Sequence, residues 1–320
     1  MKFVTFRESG EEKLGLLKAP GQVLAVAEGL KALGTPNRKA SPSMMDVLNE
    51  PSEWMPLLKR LLEKSPAIAI KNESELELLC PLPQPLSMRD GYAFRQHVEA
   101  ARRNRGVPMI PEFDHFPVFY FTNHLAVTGP GKVAVQKQAQ DKLDFELEVA
   151  IVIGLEGRNI PAEKADEHIF GFMIMNDWSA RALQMEEMKL NLGPAKGKDF
   201  ATSMGPYLLT RDELSKWAVS GPKGERHDLS MKCWVNGKLL SEGNLKDMSW
   251  SFAQIVERAS YGVTLRPGEV IGSGTVGTGC LLELNGSKIT DNLWLKPGDE
   301  VVMEVAQMGR LVNTVTDGGA

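Results

Sequence analysis

The alternation of apolar and polar residues is sharpest at residues 144–154, DFELEVAIVIG. Phe145, Leu147, Val149, Ile151 and Ile153 repeat with period two, as one face of a β-strand does, and this leaves Asp144, Glu146 and Glu148 on the other face. Same-face residues stand about 7 Å apart along a strand, so carboxylates in a row repel unless water or a cation separates them. Two arrangements meet that condition. One is a solvated face of an antiparallel sheet; the other is a cation site at a strand mouth, since Ala150, Val152 and Gly154 make the same face apolar or small beyond Glu148.

Similar patterning predicts strands at KFVTFR, KLGLLK, QVLAVAEGL, AVQKQ, IFGFMIMND, GPYLLT, DLSMKCWV, LLELNGSKI and DEVVMEVAQMG. Asn236-Gly237 predicts a type I′ hairpin between MKCWV and KLLSE. Helical spacing marks EWMPLLKRLLEK, with Met55, Leu58, Leu61 and Leu62 on one face, and YAFRQHVEAARRNRG, closed by Gly106. A third helix is expected in SWSFAQIVERAS, with Ser249 as N-cap and Phe252, Ile255, Val256 and Ala259 buried. In CPLPQPLSMRDGY, Pro81, Pro83 and Pro85 exclude a helix interior or a central strand. We read this stretch as the connector between a small N-terminal α/β domain, residues 1–78, and a catalytic domain, residues 79–320. Strands outnumber helices without regular alternation, so the expected class is mainly β with α (α+β), not a Rossmann or TIM fold.

Composition narrows the partners. The 320 residues are 42% hydrophobic and 24% charged, with a net charge of -4 and no basic block interleaved with aromatics, so no nucleic acid is expected. The charged N-terminus, MKFVTFRESGEEKLGLL, lacks the apolar core of a leader, and no apolar run approaches the roughly 18 residues of a membrane span. A cytoplasmic protein without membrane association is expected. Cys80, Cys233 and Cys280 are too scattered for a disulfide framework or a zinc site.

Three further stretches carry candidate chemistry. IFGFMIMNDWSARALQ runs from an apolar strand into Asn176 and Asp177, with Arg181 and Gln184 at helical offsets from the aspartate; a turn or cap role suits Asp177 as well as ligation does. In SMRDGYAFRQHVEAA, Asp90 precedes a helix that contains His97; a cap and a structural histidine are the plainer readings. GPAKGKDFATSMGP combines glycines that permit close backbone approach with lysines that could meet an anion, although its spacing is not that of a phosphate-binding loop.

Together, RDGYAFRQHV, DFELEVAIVIG followed by GRNI, HIFGFMIMNDWSARALQ, GPAKGKDF and RPGEVIGSGTVG resemble the fumarylacetoacetate hydrolase family over roughly residues 85–315. The resemblance implies a mixed β-sandwich roll of the fumarylacetoacetase C-terminal type, preceded by a small N-terminal domain, and a homodimer. It implies that Asp90, Glu146, Glu148 and Asp177 hold a divalent cation. An all-oxygen donor set independently suits Mg²⁺, Ca²⁺ or Mn²⁺ better than zinc. Asp144, one step nearer solvent on the same face, is left outside the ligand set.

The family pattern further implies that His97 is the water-activating base, oriented by Glu283, and that Lys198 and Arg181 meet the developing oxyanion. Tyr92, Gln184, Met188 and Thr275 fall on substrate contacts, and Lys198 with Thr202 on a possible second ion. The activity implied is metal-dependent hydrolysis of a carbon–carbon bond in a 1,3-diketone acid, foremost fumarylacetoacetate to fumarate and acetoacetate, a step of tyrosine catabolism. The cation would stabilise the enolate that leaves.

Departures from the pattern bear on the substrate. Met188 replaces a tyrosine of fumarylacetoacetases, and Gly106 stands at the offset of their carboxylate-binding arginine, with Arg102, Arg103 and Arg105 nearby. Ala100 occupies the position of a glutamate carried by acylpyruvate hydrolases and oxaloacetate decarboxylases, so those activities rank second. A non-catalytic metal-binding relative and an isomerase that acts by proton transfer also remain open. The arginines crowded behind His97 lead to one more expectation, a helix that moves as a lid.

Overall fold

The computed structural model describes residues 1–35 and 39–319. Its main sheet has twelve strands, and the hydrogen-bonded path through its centre places Lys2–Glu8, Thr202–Thr210, Ile169–Asp177, Leu147–Ile153, Val270–Gly272 and Met88–Gly91 side by side. A second sheet of five strands runs Lys238–Asn244, Ser230–Val235, Glu300–Val305, Gly309–Asp317 and Gly131–Val135. Helices pack around both, which gives the α+β class read from the sequence.

The strand Leu147–Ile153 is buried along its whole length, and its two faces serve different cores. Val149, Ile151 and Ile153 join a cluster that includes Met231, Cys233, Met303 and Val305 of the five-stranded sheet. Ala150 and Val152 join another, built with Leu48, Leu58 and Leu61 of the N-terminal helices. Neither face is the solvated side of a sheet, so of the two arrangements open for the acidic residues the wet one is excluded.

Residues 1–78 are continuous with this framework. Lys2 and Phe3 pair with Leu209 and Leu208, so the N-terminal strands extend the main sheet. The expected amphipathic helix is Pro51–Lys64, with Trp54, Leu58 and Leu61 buried. It ends at Ser65 in the left-handed conformation, φ 39°. The hairpin at Asn236-Gly237 has positive φ at both residues, 49° and 76°, as a type I′ turn requires.

Four local expectations need correction. LLELNGSKI is not a strand: Leu281–Gly286 is a helix, because Leu281 and Leu284 fall at helical spacing and its first amides are bonded by Asp144. QVLAVAEGL is a strand only over Gln22–Ala25 and then turns into the helix Val26–Ala32. AVQKQ likewise leaves its strand at Val135 for a short 3₁₀ turn, Lys137–Ala139. The helix Phe252–Ser260 is capped by Ser251, not Ser249. The Ser251 hydroxyl accepts from Gln254 N at 3.2 Å, and Gln254 Oε1 accepts from Ser251 N at 3.1 Å. That reciprocal S-x-x-Q pair satisfies two amides, which Ser249 cannot.

No helix among the described residues is long and apolar enough to cross a membrane. All three cysteines are free and buried.

Candidate active site

Four carboxylates converge where three central strands end. Asp90 comes from Met88–Gly91, which runs parallel to Val270–Gly272 with Asp90 opposite Gly272. A β-carbon on Gly272 would collide with Asp90 Oδ1, so the glycine makes room for the carboxylate. Glu148 is the second residue of Leu147–Ile153 and Glu146 immediately precedes that strand, while Asp177 ends Ile169–Asp177. Each of the four offers an oxygen within 4.8 Å of the others, and all are buried.

Such a cluster carries more negative charge than its surroundings neutralise. Burial and the nearby Asp177 push Asp90 up to about 7. Burial and Asp90 hold Glu148 well above the usual carboxylate range. For Glu146, burial is outweighed by Lys198 and Arg181, which keep it far below that range. Lys198 Nζ lies 2.6 Å from Asp177 Oδ2 and also contacts Glu146. Arg181 Nη2 lies 2.7 Å from Glu146 Oε1. Asp177 Oδ1 is buried with no hydrogen-bond partner. An orphaned oxygen beside two carboxylates that resist ionisation is what a hard divalent cation relieves, so the donor set fits Mg²⁺, Ca²⁺ or Mn²⁺.

Next to the cluster, His97 Nδ1 and Glu283 Oε2 share a hydrogen bond of 2.6 Å. Glu283 Oε1 accepts from Thr278 N at 2.9 Å, so both carboxylate oxygens are fixed. His97 sits on the helix Arg95–Asn104, buried through His97, Val98 and Ala100. The Tyr92 ring meets the His97 ring edge-on at 5.7 Å. With Nδ1 engaged, the other imidazole nitrogen is the one left for chemistry.

The remaining expected residues divide. Thr275 Oγ1 donates to Glu148 Oε1 at 3.3 Å, and Gln184 Oε1 accepts from Arg181 Nη1 at 2.9 Å. A β-carbon on Gly197 would lie 2.7 Å from Gln184 N, the close backbone approach anticipated for that glycine-rich stretch. Thr202 is buried in register with Asp177. Met188, by contrast, is 42% exposed at the end of the helix Arg181–Met188, outside the buried group. Arg102 and Arg105 turn back on backbone carbonyls, those of Pro108 and Ala101.

Sequence reasoning missed four contributors. The Tyr120 hydroxyl donates to Asp177 Oδ2 at 2.5 Å from the strand Phe119–Thr122. The alternation in FYFT was the available signal. Asn176 Oδ1 accepts from Glu146 N at 3.0 Å, and Gly274 N donates to both Asp90 and Glu148 at 3.1 Å. Asp144, expected nearer solvent, is fully buried and bonded to Arg181 and the Glu283 helix. It is not one of the four clustered carboxylates.

Residues 87–316 match the family model described as fumarylacetoacetate (FAA) hydrolase C-terminal. The chain is 30% identical to a fumarylacetoacetase of Oryza sativa subsp. japonica, covering 80% of this chain and 74% of that one. It is also 30% identical to oxaloacetate tautomerase YisK of Bacillus subtilis (strain 168), covering 76% and 74%. Among solved structures, maleylpyruvate hydrolase from Sphingobium sp. SYK-6, in complex with manganese(II) ion and pyruvate, superposes with a TM-score of 0.70 over 99% of this chain and all of that one. At 21% identity that likeness is one of fold.

Proposed function

The chain belongs to the fumarylacetoacetate hydrolase family, whose members are enzymes, and from that premise we propose a divalent-cation-dependent hydrolase that cleaves a carbon–carbon bond in a 1,3-diketone acid. Fumarylacetoacetate, cleaved to fumarate and acetoacetate in tyrosine catabolism, is the substrate we favour. The observation that carries the reading is the 2.6 Å His97–Glu283 pair beside the four-carboxylate cluster. Binding alone needs no base held in one orientation.

A cation held by Asp90, Glu146, Glu148 and Asp177 would polarise substrate oxygens as a Lewis acid. With Glu283 accepting the Nδ1 proton, the neutral imidazole offers Nε2 as the base that takes a proton from the attacking water. Once His97 is an imidazolium, the buried Glu283 carboxylate stabilises it. Lys198 is kept charged by Asp177 and Glu146 against the effect of burial, and Arg181 is held likewise by Asp144 and Glu146. Both present N–H donors where an oxyanion develops. Gln184, held by Arg181, and Tyr92, whose ring meets that of His97 edge-on, are the substrate contacts we assign beside the base.

Three free buried cysteines accord with a reducing cytoplasmic setting. Phe121 and Leu125, 64% and 82% exposed near a sheet edge, accord with a homodimer. Fumarylacetoacetate, fumarylpyruvate, acetylpyruvate and oxaloacetate assayed with Mg²⁺ or Mn²⁺ test the reading. Turnover of the first, abolished by EDTA, with ¹⁸O from solvent water in the product acid, supports it. Conversion of oxaloacetate between tautomers without ¹⁸O incorporation into a product acid would replace it with the tautomerase activity named for the Bacillus relative.

A further inference from the structure

Asp144 accepts more hydrogen bonds than a partner to Arg181 requires. Its Oδ1 accepts from Leu281 N at 2.6 Å, and its Oδ2 accepts from Leu282 N at 3.0 Å and from Arg181 Nε at 2.8 Å. The same guanidinium reaches Glu146 Oε1 through Nη2. Leu281 and Leu282 are the first two residues of the helix Leu281–Gly286, and Glu283 is the third. A bonded path therefore runs from Glu146 through Arg181 and Asp144 to the turn that carries Glu283, and from Glu283 to His97.

That helix has six residues, too few to hold its own orientation through internal hydrogen bonds. Its cap is weak: Cys280 Sγ accepts from Glu283 N at 3.4 Å, and a thiol sulfur is a poor acceptor. A buried carboxylate on the first two amides supplies what the cap lacks, because it meets both orphan donors and the positive end of the helix.

We propose that Asp144 is a positioning residue that ties Arg181 to the start of the Glu283 helix and so aims Glu283 at His97. The kinetic part of this inference rests on the hydrolase reading, so the first measurement uses no turnover. In the free protein the imidazole proton between His97 and Glu283 gives a downfield ¹H resonance, assigned by its loss in His97→Ala. Asp144→Asn keeps the size of the side chain and removes its charge and one acceptor. It is expected to shift or broaden that resonance; an unchanged resonance overturns the inference.

The second measurement is a double-mutant comparison. Asp144→Asn is expected to lower kcat by about 10- to 100-fold, the span for partners that orient a reacting group, with KM and cation affinity within about 2-fold of the unsubstituted enzyme. In a His97→Ala background it should cost clearly less, since the part of its effect that passes through the base is gone and only the part carried by Arg181 is left. The same fold-loss in both backgrounds means a general structural role and overturns the inference. If no substrate turns over, the hydrolase reading fails while the resonance still decides the role of Asp144. Should Asp144→Asn not fold, Leu281→Pro removes the helix donor to Oδ1 at the first helical position, which follows the extended Cys280 and tolerates proline, and the same readouts apply.

Discussion

Glu283 Oε2 lies 2.6 Å from His97 Nδ1, although 186 residues separate them in the chain. His97→Ala should leave substrate and cation binding nearly intact and lower kcat by about 10²- to 10⁴-fold. Glu283→Gln should cost less, because the imidazole remains and only its orientation and basicity suffer. Steady-state kinetics on purified variants checks both; His97→Ala at the unsubstituted rate removes the base assignment.

Glu148→Gln should abolish turnover by weakening cation binding while leaving the fold intact. Burial and Asp90 already favour the neutral form of Glu148 in the absence of a cation, and glutamine imitates that form. The melting temperature in EDTA should therefore be unchanged or higher, while the increase produced by Mg²⁺ is lost. Titration calorimetry that returned the unsubstituted cation affinity would contradict the ligand assignment.

Cation stabilisation should depend on pH with a definite sign. Asp90 is raised from an ordinary 3.8 to about 7 by burial and its acidic neighbours, so the cation-free folded state binds more protons than the unfolded chain between those values. Its stability contribution is lost as pH rises from about 4 to about 7. A bound cation reverses this by favouring the carboxylate. Glu146, held low, loses its stabilising contribution only below its ordinary 4.5, so above pH 5 the effect comes from the cluster members held high, Asp90, Glu148 and Asp177. The Mg²⁺-induced shift in Tm should grow as pH rises from 5 through about 7; a shift independent of pH would count against the cluster as the cation site.

Removing residues 1–78 should leave a chain that does not fold stably. The strand edge of Thr202–Thr210 that pairs with Lys2–Glu8 would be bare, and Ala150, Val152 and Met173 would lose the helices that cover them. A soluble fragment 79–320 with cooperative unfolding would establish two independent domains instead.

The His97 helix provides the last expectation. One face of its first turns is buried, through His97, Val98 and Ala100, while Arg103 and Arg105 at its far end are exposed, and Asn104 bonds the Glu283 helix at 3.4 Å. Amides of residues 94–108 should gain hydrogen-exchange protection with Mg²⁺ plus oxalate. Strong, equal protection in both states would mean a permanently docked helix and not a lid.

Residues 147–153, the Asn236-Gly237 turn and the helix Pro51–Lys64 were legible from periodicity because each is a local pattern: side-chain direction repeats every two or 3.6 residues wherever the chain goes. The expected strand did not extend back to Asp144, which lies in the separate short strand Leu143–Asp144 paired with Ser179. The four carboxylates and His97 stood out as site candidates only through the family resemblance, because local spacing suited a cap, a turn or a structural histidine just as well. Tertiary structure decided the rest. Whether the acidic face meets water depends on what packs above and below Leu147–Ile153, and two cores cover it. LLELNGSKI carries apolar residues that fit either period, and Asp144, 137 residues away, settled it as a helix by bonding the Leu281 amide. Tyr120, Lys198 and Asp144 acquire their roles only where separate strands and loops meet, because a buried charge takes its partner from whatever the fold brings within about 3 Å, not from its neighbours in sequence.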